Sequence, residues 1–202
     1  MRQALCLIVL LAALGVPAAA ETPGGTLRLM LSSANPTGDW TGDFDIGGMV
    51  LPTVIEADSA TAFGVVYEVR LGDRWGLESG IYFADFDFTV ASSGLSVDFG
   101  SALAIPFTFG LDYHVFSGEQ VDVYFGPQVS YTLWGNLDTP AGALEVDSDF
   151  GLGAVAGADF RIGKSNWTFS VAARYLGTSL SDASIDIGVD PLLAEVGVGY
   201  RF

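Results

Sequence analysis

The sequence has almost no cysteine, histidine or positive charge. Its 202 residues include one Cys, one His and 8 Lys or Arg against 24 Asp or Glu, for a formal net charge of −16. With Cys6 as its only cysteine, the chain can form neither an internal disulfide nor a cysteine metal centre. The acidity also argues against a nucleic-acid partner, because phosphate binding needs a basic surface.

The sequence also lacks an apolar run long enough to span a bilayer as a helix, for which roughly 20 residues are needed. The apolar run Ala4–Val16 follows Arg2 and precedes a small-residue cleavage pattern that ends at Ala20. This arrangement is typical of a secretory signal peptide, with an uncleaved anchor as the alternative. We therefore predict that residues 1–20, including Cys6, are removed on export and that residues 21–202 form one domain.

Apolar residues are nevertheless abundant, and the mean hydropathy is +0.43. They recur at every second position, a period that predicts strands with two different faces. The final stretch, LLAEVGVGYRF, places Val196 and Phe202 on one face and Glu195 and Arg201 on the other. Each strand has about the ten residues that a tilted membrane-spanning strand needs. The predicted strands are 26–33, 62–71, 75–86, 102–114, 121–133, 150–162, 167–175 and 192–202.

Long and short connections alternate along the chain. The short ones, 72–74, 116–120 and 163–166, carry the polar and glycine residues of hairpin turns. The long ones, 34–61, 87–100, 135–149 and 177–191, are predicted as loops. This asymmetry predicts an all-β fold, an eight-stranded antiparallel transmembrane up-and-down β-barrel with both chain ends in the periplasm. The alternative is a soluble lipocalin-like barrel with an apolar interior.

The placement of charge favours the membrane barrel. Charged residues fall on the face opposite the apolar one and beside Gly and Ala, which fits a narrow lumen, and aromatic residues at the strand ends form two belts. Lumen charges should pair with one another, because an unpaired buried charge is costly. They would form a structural plug or, alternatively, a polar gate. The predicted members are Arg28, Glu68, Arg70, Glu78, Asp112, Asp159, Arg161, Arg174, Glu195 and Arg201.

Several stretches between about residues 104 and 202 resemble the outer-membrane protein W (OmpW) family. In IPFTFGLDYHV, Pro106 and Thr108 match the family's Pro-x-Thr, and Tyr113 and His114 match the end of its fourth strand. The stretches YFGPQVSYT, FGLGAVAGAD and DPLLAEVGVGYRF resemble later strands of the family, whereas FADFDFTV replaces its usual His-containing segment. The resemblance implies a barrel that admits small hydrophobic solutes through an apolar funnel with a sideways exit to the membrane.

The first long loop contains an apolar cluster in the stretch FDIGGMVLPTVIEAD. Such a cluster at the cell exterior requires either cover or a ligand. It either packs over the barrel mouth or forms a pocket there for small hydrophobic molecules. The predicted ligand-binding residues of this mouth are Met49, Val50, Leu51, Val54, Phe86, Phe88 and Trp134.

The predicted function is therefore to bind small hydrophobic molecules or pass them across the outer membrane. The alternative is a closed barrel for adhesion or for contact with phage or lipopolysaccharide. We expect no enzyme, because no serine is marked as a nucleophile near His114, and no cofactor or metal, because the acidic loops lack calcium-loop spacing. Expected partners are outer-membrane lipid, lipopolysaccharide, small hydrophobic solutes and, through the C-terminal Phe202, the barrel-assembly machinery. The sequence carries no signal for an oligomeric state.

Overall fold

The structure is a computed structural model that describes residues 24–46, 49–92, 94–140, 142–181 and 186–202. The predicted signal peptide, residues 1–20, lies outside these ranges. No helix within them is long and apolar enough to cross a membrane. Their strands are β1 (Gly25–Asn35), β2 (Asp39–Ile46), β3 (Met49–Ala57), β4 (Ala60–Arg70), β5 (Trp75–Ser92), β6 (Leu95–Ser117), β7 (Val121–Trp134), β8 (Leu137–Thr139), β9 (Gly142–Leu144), β10 (Asp149–Arg161), β11 (Trp167–Leu176), β12 (Ser179–Ser181), β13 (Asp186–Gly188) and β14 (Leu192–Arg201).

Eight of these strands close a ring. Its order is β1-β4-β5-β6-β7-β10-β11-β14, every neighbouring pair is antiparallel, and β14 pairs with β1 from Thr26–Arg201 to Asn35–Leu192. Closing the sheet in this way gives each wall strand a partner on both edges and leaves the wall without an open edge. The chain is therefore an all-β antiparallel barrel.

Burial alternates along the ring strands, because successive side chains of a strand point to opposite faces. The charged face is the buried one: Arg28 and Arg174 are each 1% exposed. The apolar face points outward, where Leu29, Phe63 and Leu152 are 55%, 62% and 69% exposed. A polar interior within an apolar exterior is the reverse of the lipocalin-like alternative.

The six further strands lie where the sequence analysis predicts only loops. β2 and β3 form a hairpin within 34–61, and β3 extends the wall by pairing with β5 from Thr53–Ser92 to Ala57–Phe88. β5 and β6 continue through most of 87–100, β8 and β9 pair within 135–149, and β12 and β13 pair within 177–191. The prediction of eight strands joined by loops is thus incomplete, because backbone groups beyond the barrel rim also require hydrogen-bond partners.

We call the end of the ring that carries these hairpins the loop end. The opposite end, with the short turns and residues 24 and 202, is the turn end. A cluster of buried apolar side chains fills the loop end, and it includes residues of the hairpins as well as of the wall. The loop-end hairpins therefore fold over the barrel mouth.

Candidate functional site in the barrel interior

The barrel interior has two layers of different chemistry. The inward side chains of β6 show the division, since Ala102 and Ala104 lie toward the loop end and Asp112 and His114 toward the turn end, and all four are buried. The alternation of each strand explains which side chains face inward. The order of residues along the strand then explains which layer each one joins.

Arg28 on β1 is at the centre of the charged layer. Its Nη2 donates to Oε2 of Glu68 at 2.5 Å and to Oδ2 of Asp159 at 2.7 Å. Its Nη1 lies 3.4 Å from Oε2 of Glu78, and its guanidinium carbon lies 4.8 Å from the ring centroid of Tyr124. One cation thus meets three carboxylates and an aromatic face, which compensates for its removal from water.

Arg174 on β11 extends the same network across the lumen. Its Nη1 donates to Oε1 of Glu78 at 2.8 Å, and its Nε donates to Oε1 of Glu195 at 3.4 Å. Its guanidinium carbon lies 5.2 Å from the ring centroid of Tyr82. Because Glu78 contacts both Arg28 and Arg174, the two arginines belong to one layer that crosses the barrel.

A third group of charges lies nearest the turn end. His114 places Nε2 at 2.9 Å from Oε1 of Glu68 and Nδ1 at 2.7 Å from Oδ1 of Asp122. Arg70 contacts His114 and donates to Oδ2 of Asp122 at 3.0 Å, and Arg201 lies 3.5 Å from the same oxygen. The predicted charge network omits His114 and Asp122, although their strand alternation already places both on the charged face.

All ten predicted lumen charges lie in described strands, and eight of them form ion pairs with other charged residues. The other two are Asp112 and Arg161. Asp112 is 0% exposed, and neither of its carboxylate oxygens has a hydrogen-bond partner among the described residues. Arg161 lies half-buried at the turn end of β10. Across the described ranges, no three His, Cys, Asp or Glu residues are grouped so that they could hold a metal ion.

The apolar layer fills the loop end. The ring centroids of Trp134 and Phe86 are 6.1 Å apart. The indole nitrogen of Trp134 donates a hydrogen bond to the carbonyl oxygen of Ser179 at 2.8 Å. This bond anchors the β12–β13 hairpin to the mouth. The buried members of the layer are Met30, Ala34, Ile55, Ala62, Val66, Tyr82, Ala84, Phe86, Phe88, Ala102, Ala104, Trp134, Leu137, Leu176, Leu180, Ile187, Val189 and Leu193.

The predicted mouth residues have different positions. Phe86, Phe88 and Trp134 are 2%, 1% and 8% exposed and belong to the apolar layer. Val54 is half-buried on the face of β3 opposite Ile55, which is 1% exposed and belongs to the apolar layer.

The side chains of Met49, Val50 and Leu51 lie outside the described residues. Their backbone pairs with Ile46, Asp45 and Phe44 of β2.

Leu137, Leu180 and Ile187 are further members of the apolar layer that the prediction leaves out. They lie in short strands within the predicted loops. Their apolar type is the only sequence signal that could have found them.

The wall of the barrel has two interruptions, both at prolines. β5 and β6 pair at Ile81–Phe107 and again at Ala84–Ala104, with no pair between these positions, where Pro106 lies. β6 and β7 are likewise unpaired between Gly110–Gln128 and Tyr113–Phe125, beside Pro127. Proline has no N–H to donate to the neighbouring strand. The gap at Pro106 lies at the level of the apolar layer, and the gap at Pro127 at that of the charged layer.

Comparison with known proteins gives the same fold. The family described as "Outer membrane protein beta-barrel domain" matches residues 4–202. An uncharacterized outer-membrane protein, y4mB of Sinorhizobium fredii, is 30% identical over 119 residues, which cover 54% of this chain and 52% of the relative. The chain thus spans about half the length of that relative.

Solved structures of similar proteins cover nearly the whole chain. OprG from Pseudomonas aeruginosa is similar with a TM-score of 0.76 at 21% identity, over 90% of this chain and 96% of OprG. AlkL is similar with a TM-score of 0.57 at 20% identity, over 93% and 95%. Neisserial surface protein A has a TM-score of 0.57 at 11% identity, over 88% and 97%. At these identities the likeness shows the outer-membrane barrel fold.

Proposed function

This chain belongs to the outer membrane protein beta-barrel domain family and is a protein of the outer membrane, and from that premise we propose that it is an OmpW-like barrel for small hydrophobic molecules. It takes them up at the loop end and releases them sideways into the membrane. The observation that carries this proposal is the division of the interior into an apolar layer and a charged layer.

The charged layer supports a closed floor. A solute moving along the barrel axis would have to separate Arg28 from Glu68 and Asp159, whose contacts are 2.5 and 2.7 Å long. Breaking a buried ion pair by removing one partner costs about 3–5 kcal/mol. An apolar solute offers no hydrogen bonds in return, so axial passage through this layer is unfavourable.

The apolar layer supports binding above that floor. Phe86, Phe88 and Ile55 provide an apolar environment between the hairpins and the wall. Transfer of a solute from water to such surroundings is favourable by roughly 25 cal/mol per Å² of apolar area. The residues that close the mouth are therefore also those that would line a solute's path when the hairpins move.

The interruption at Pro106 supports a sideways exit. The missing pairs separate Tyr82 and Phe83 of β5 from Ile105 and Pro106 of β6. Since each backbone hydrogen bond contributes about 0.5–1.5 kcal/mol, opening the wall here disrupts less than opening it elsewhere at that level. The neighbouring outward residue Phe83 is 44% exposed, so a solute leaving at this point would meet apolar surface.

The turn end supports a periplasmic position for both chain ends. The rings of Trp75 and Tyr113 pack edge to face with their centroids 5.0 Å apart, and those of Trp167 and Tyr200 do so at 5.2 Å. Such aromatic residues at one end of a barrel are typical of a belt at a membrane interface. Phe202 is 66% exposed at the same end, where the barrel-assembly machinery could contact it. Lipid and lipopolysaccharide would surround the apolar exterior.

A closed surface-interaction barrel is the second candidate. It is favoured by the close filling of the mouth, since Phe88 and Ile55 are each 1% exposed. In that case the loop-end hairpins would serve only to contact other molecules.

Variants at one tryptophan inside the mouth and one outside the barrel distinguish these candidates. We expect Trp134→Ala to change the rate at which cells take up a labelled apolar solute. The matched control is Trp167→Ala, which removes a 52% exposed indole at the turn end and should leave the rate unchanged. Unchanged uptake in both variants would favour the closed barrel.

A further inference from the structure

Among the buried polar atoms without hydrogen-bond partners, three belong to side chains of β6 and β7 between the apolar and charged layers. They are Oγ1 of Thr108, Oγ1 of Thr132 and Oε1 of Gln128, and none has a partner in the described part of the chain. Their residues are 4%, 1% and 3% exposed. We call these three side chains the polar shelf.

The strand register places the shelf beside the interruption in the wall. Thr132 pairs with Pro106, and Thr108 pairs with Ser130, which lies between Gln128 and Thr132 on β7. All three shelf residues thus lie on the inner face of β6 and β7, with Thr108 opposite Ser130 and with Gln128 and Thr132 two residues to either side of Ser130. The shelf borders the proposed sideways exit.

The orientation of Gln128 follows from its neighbour in the charged layer. Its Nε2 donates to Oε1 of Glu78 at 2.9 Å. A carboxylate accepts hydrogen bonds, so the amide nitrogen must face Glu78 and the amide oxygen is left as an acceptor. Ser130, in the same stretch of β7, is satisfied because its hydroxyl donates to the carbonyl of Gly177 at 3.2 Å.

The unpaired state of the shelf has an energetic cost. A buried polar group without a partner destabilises a fold by about 1–3 kcal/mol, and valine would have the shape of threonine without that cost. Two threonines and an amide oxygen in this state, on adjacent strands, therefore indicate that a partner occupies them for part of the protein's working cycle. A solute in the barrel interior would supply such a partner.

The chemistry of the shelf defines this occupant. The two threonine hydroxyls can each donate or accept a hydrogen bond, whereas the amide oxygen of Gln128 only accepts one. A ligand group that can both donate and accept therefore fits the polar shelf best. A neutral group is favoured, because an ion of either sign would lose its hydration in the apolar layer. Resting on the proposed function, we propose that the preferred solutes are neutral amphiphiles, with an apolar body in the apolar layer and one hydroxyl group on the polar shelf.

The test uses two probes with one carbon skeleton, labelled 1-octanol and labelled n-octane, in cells with and without the protein. We expect faster protein-dependent uptake of octanol than of octane. In the double variant Thr108→Val and Thr132→Val, octanol uptake should fall by about fivefold, since one hydrogen bond of about 1 kcal/mol corresponds to that ratio, and octane uptake should stay unchanged.

The matched control is Thr168→Val. Thr168 is 0% exposed and its hydroxyl also lacks a partner among the described residues, but it lies at the turn end, opposite Gly199. The Thr168→Val variant should leave the ratio of octanol to octane uptake unchanged.

The outcomes separate the two proposals. If the unchanged protein speeds uptake of neither probe, the proposed function fails. If it carries both probes at equal rates and the double variant alters neither, the function stands and the polar shelf is not a recognition site. An equal loss of both probes in the double variant would show a structural role for the two threonines and would also overturn the inference.

Discussion

At the scale of single residues, Arg28 is the cation on which three carboxylates of the charged layer converge. It contacts Glu68, Glu78 and Asp159 while only 1% exposed. We predict that Arg28→Met destabilises the barrel by about 3–5 kcal/mol, because it leaves buried carboxylates uncompensated. Urea unfolding in lipid bilayers would measure this free energy.

Arg74→Met is the control for that measurement. Arg74 is exposed in a turn, where its Nη1 donates to the hydroxyl of Tyr113 at 2.9 Å. Its replacement should cost less than about 1 kcal/mol. Similar losses for both variants would contradict a special role for the charged layer.

Gly157 is a second position where the size of a single side chain affects stability. A Cβ there would lie 2.6 Å from the hydroxyl oxygen of Tyr124, whose ring packs against Arg28. We expect Gly157→Val to destabilise the fold by about 1–3 kcal/mol through this overpacking. Ala156→Val, on the exposed side of the same strand, should change stability by less than about 0.5 kcal/mol in the same unfolding assay.

The side on which a residue lies could be predicted from the sequence, because the alternation of a strand is a local property. Arg28, Glu78 and Arg174 are examples. Which carboxylate each arginine pairs with could not be predicted, since the distances between β1, β5 and β11 depend on the register of the whole ring. The inward position of Ile55 could not be predicted in the same way, because the first long connection has no local pattern that marks it as a strand.

At the scale of strands, Pro106 and Pro127 interrupt the wall at two levels. Pro106→Ala restores an N–H beside the apolar layer. We predict that uptake of an apolar solute falls by about fivefold, because opening the wall would then break roughly one more hydrogen bond of about 1 kcal/mol. Uptake rates in cells would test this.

Pro127→Ala is the matched control for the sideways exit. It restores an N–H in the other interruption, at the level of Asp112 and the charged layer. Uptake should remain unchanged. Equal effects of the two variants would show that the position of the interruption has no importance for transport.

The strands of the ring and those of the loop end differ in how well the sequence predicts them. β7 and β11 have turn residues on both sides and uninterrupted alternation, so the predicted bounds of 121–133 and 167–175 lie within one residue of those observed. β2 and β3 contain Gly42, Pro52 and several acidic residues, which are typical of loops. β3 pairs with β5 and β2 pairs with β3, and no local pattern reveals the contact with β5.

At the scale of the whole molecule, the orientation in the membrane leads to a labelling prediction. The only cysteine, Cys6, lies in the predicted signal peptide, so single cysteines can serve as reporters. Ala143→Cys at the loop end should react with a membrane-impermeant maleimide in intact cells, and Ser165→Cys at the turn end should react only after lysis. The reverse pattern would place the loop end in the periplasm.

The fold class could be predicted from the sequence because a barrel in a membrane requires a characteristic pattern of residues. An apolar exterior, a charged interior and alternate long and short connections occur together in outer-membrane barrels. The identity of a solute has no such signature, since the interior that would bind it is assembled from many strands and short hairpins.

The most direct test of the proposed transport measures the uptake of a labelled apolar solute and a labelled sugar of similar size, in cells with and without the protein. We predict that the protein speeds uptake of the apolar solute alone, because the charged layer closes the barrel axis and the apolar layer leads to the sideways exit. Faster uptake of the sugar would contradict the closed floor. Equal rates for both solutes with and without the protein would contradict transport.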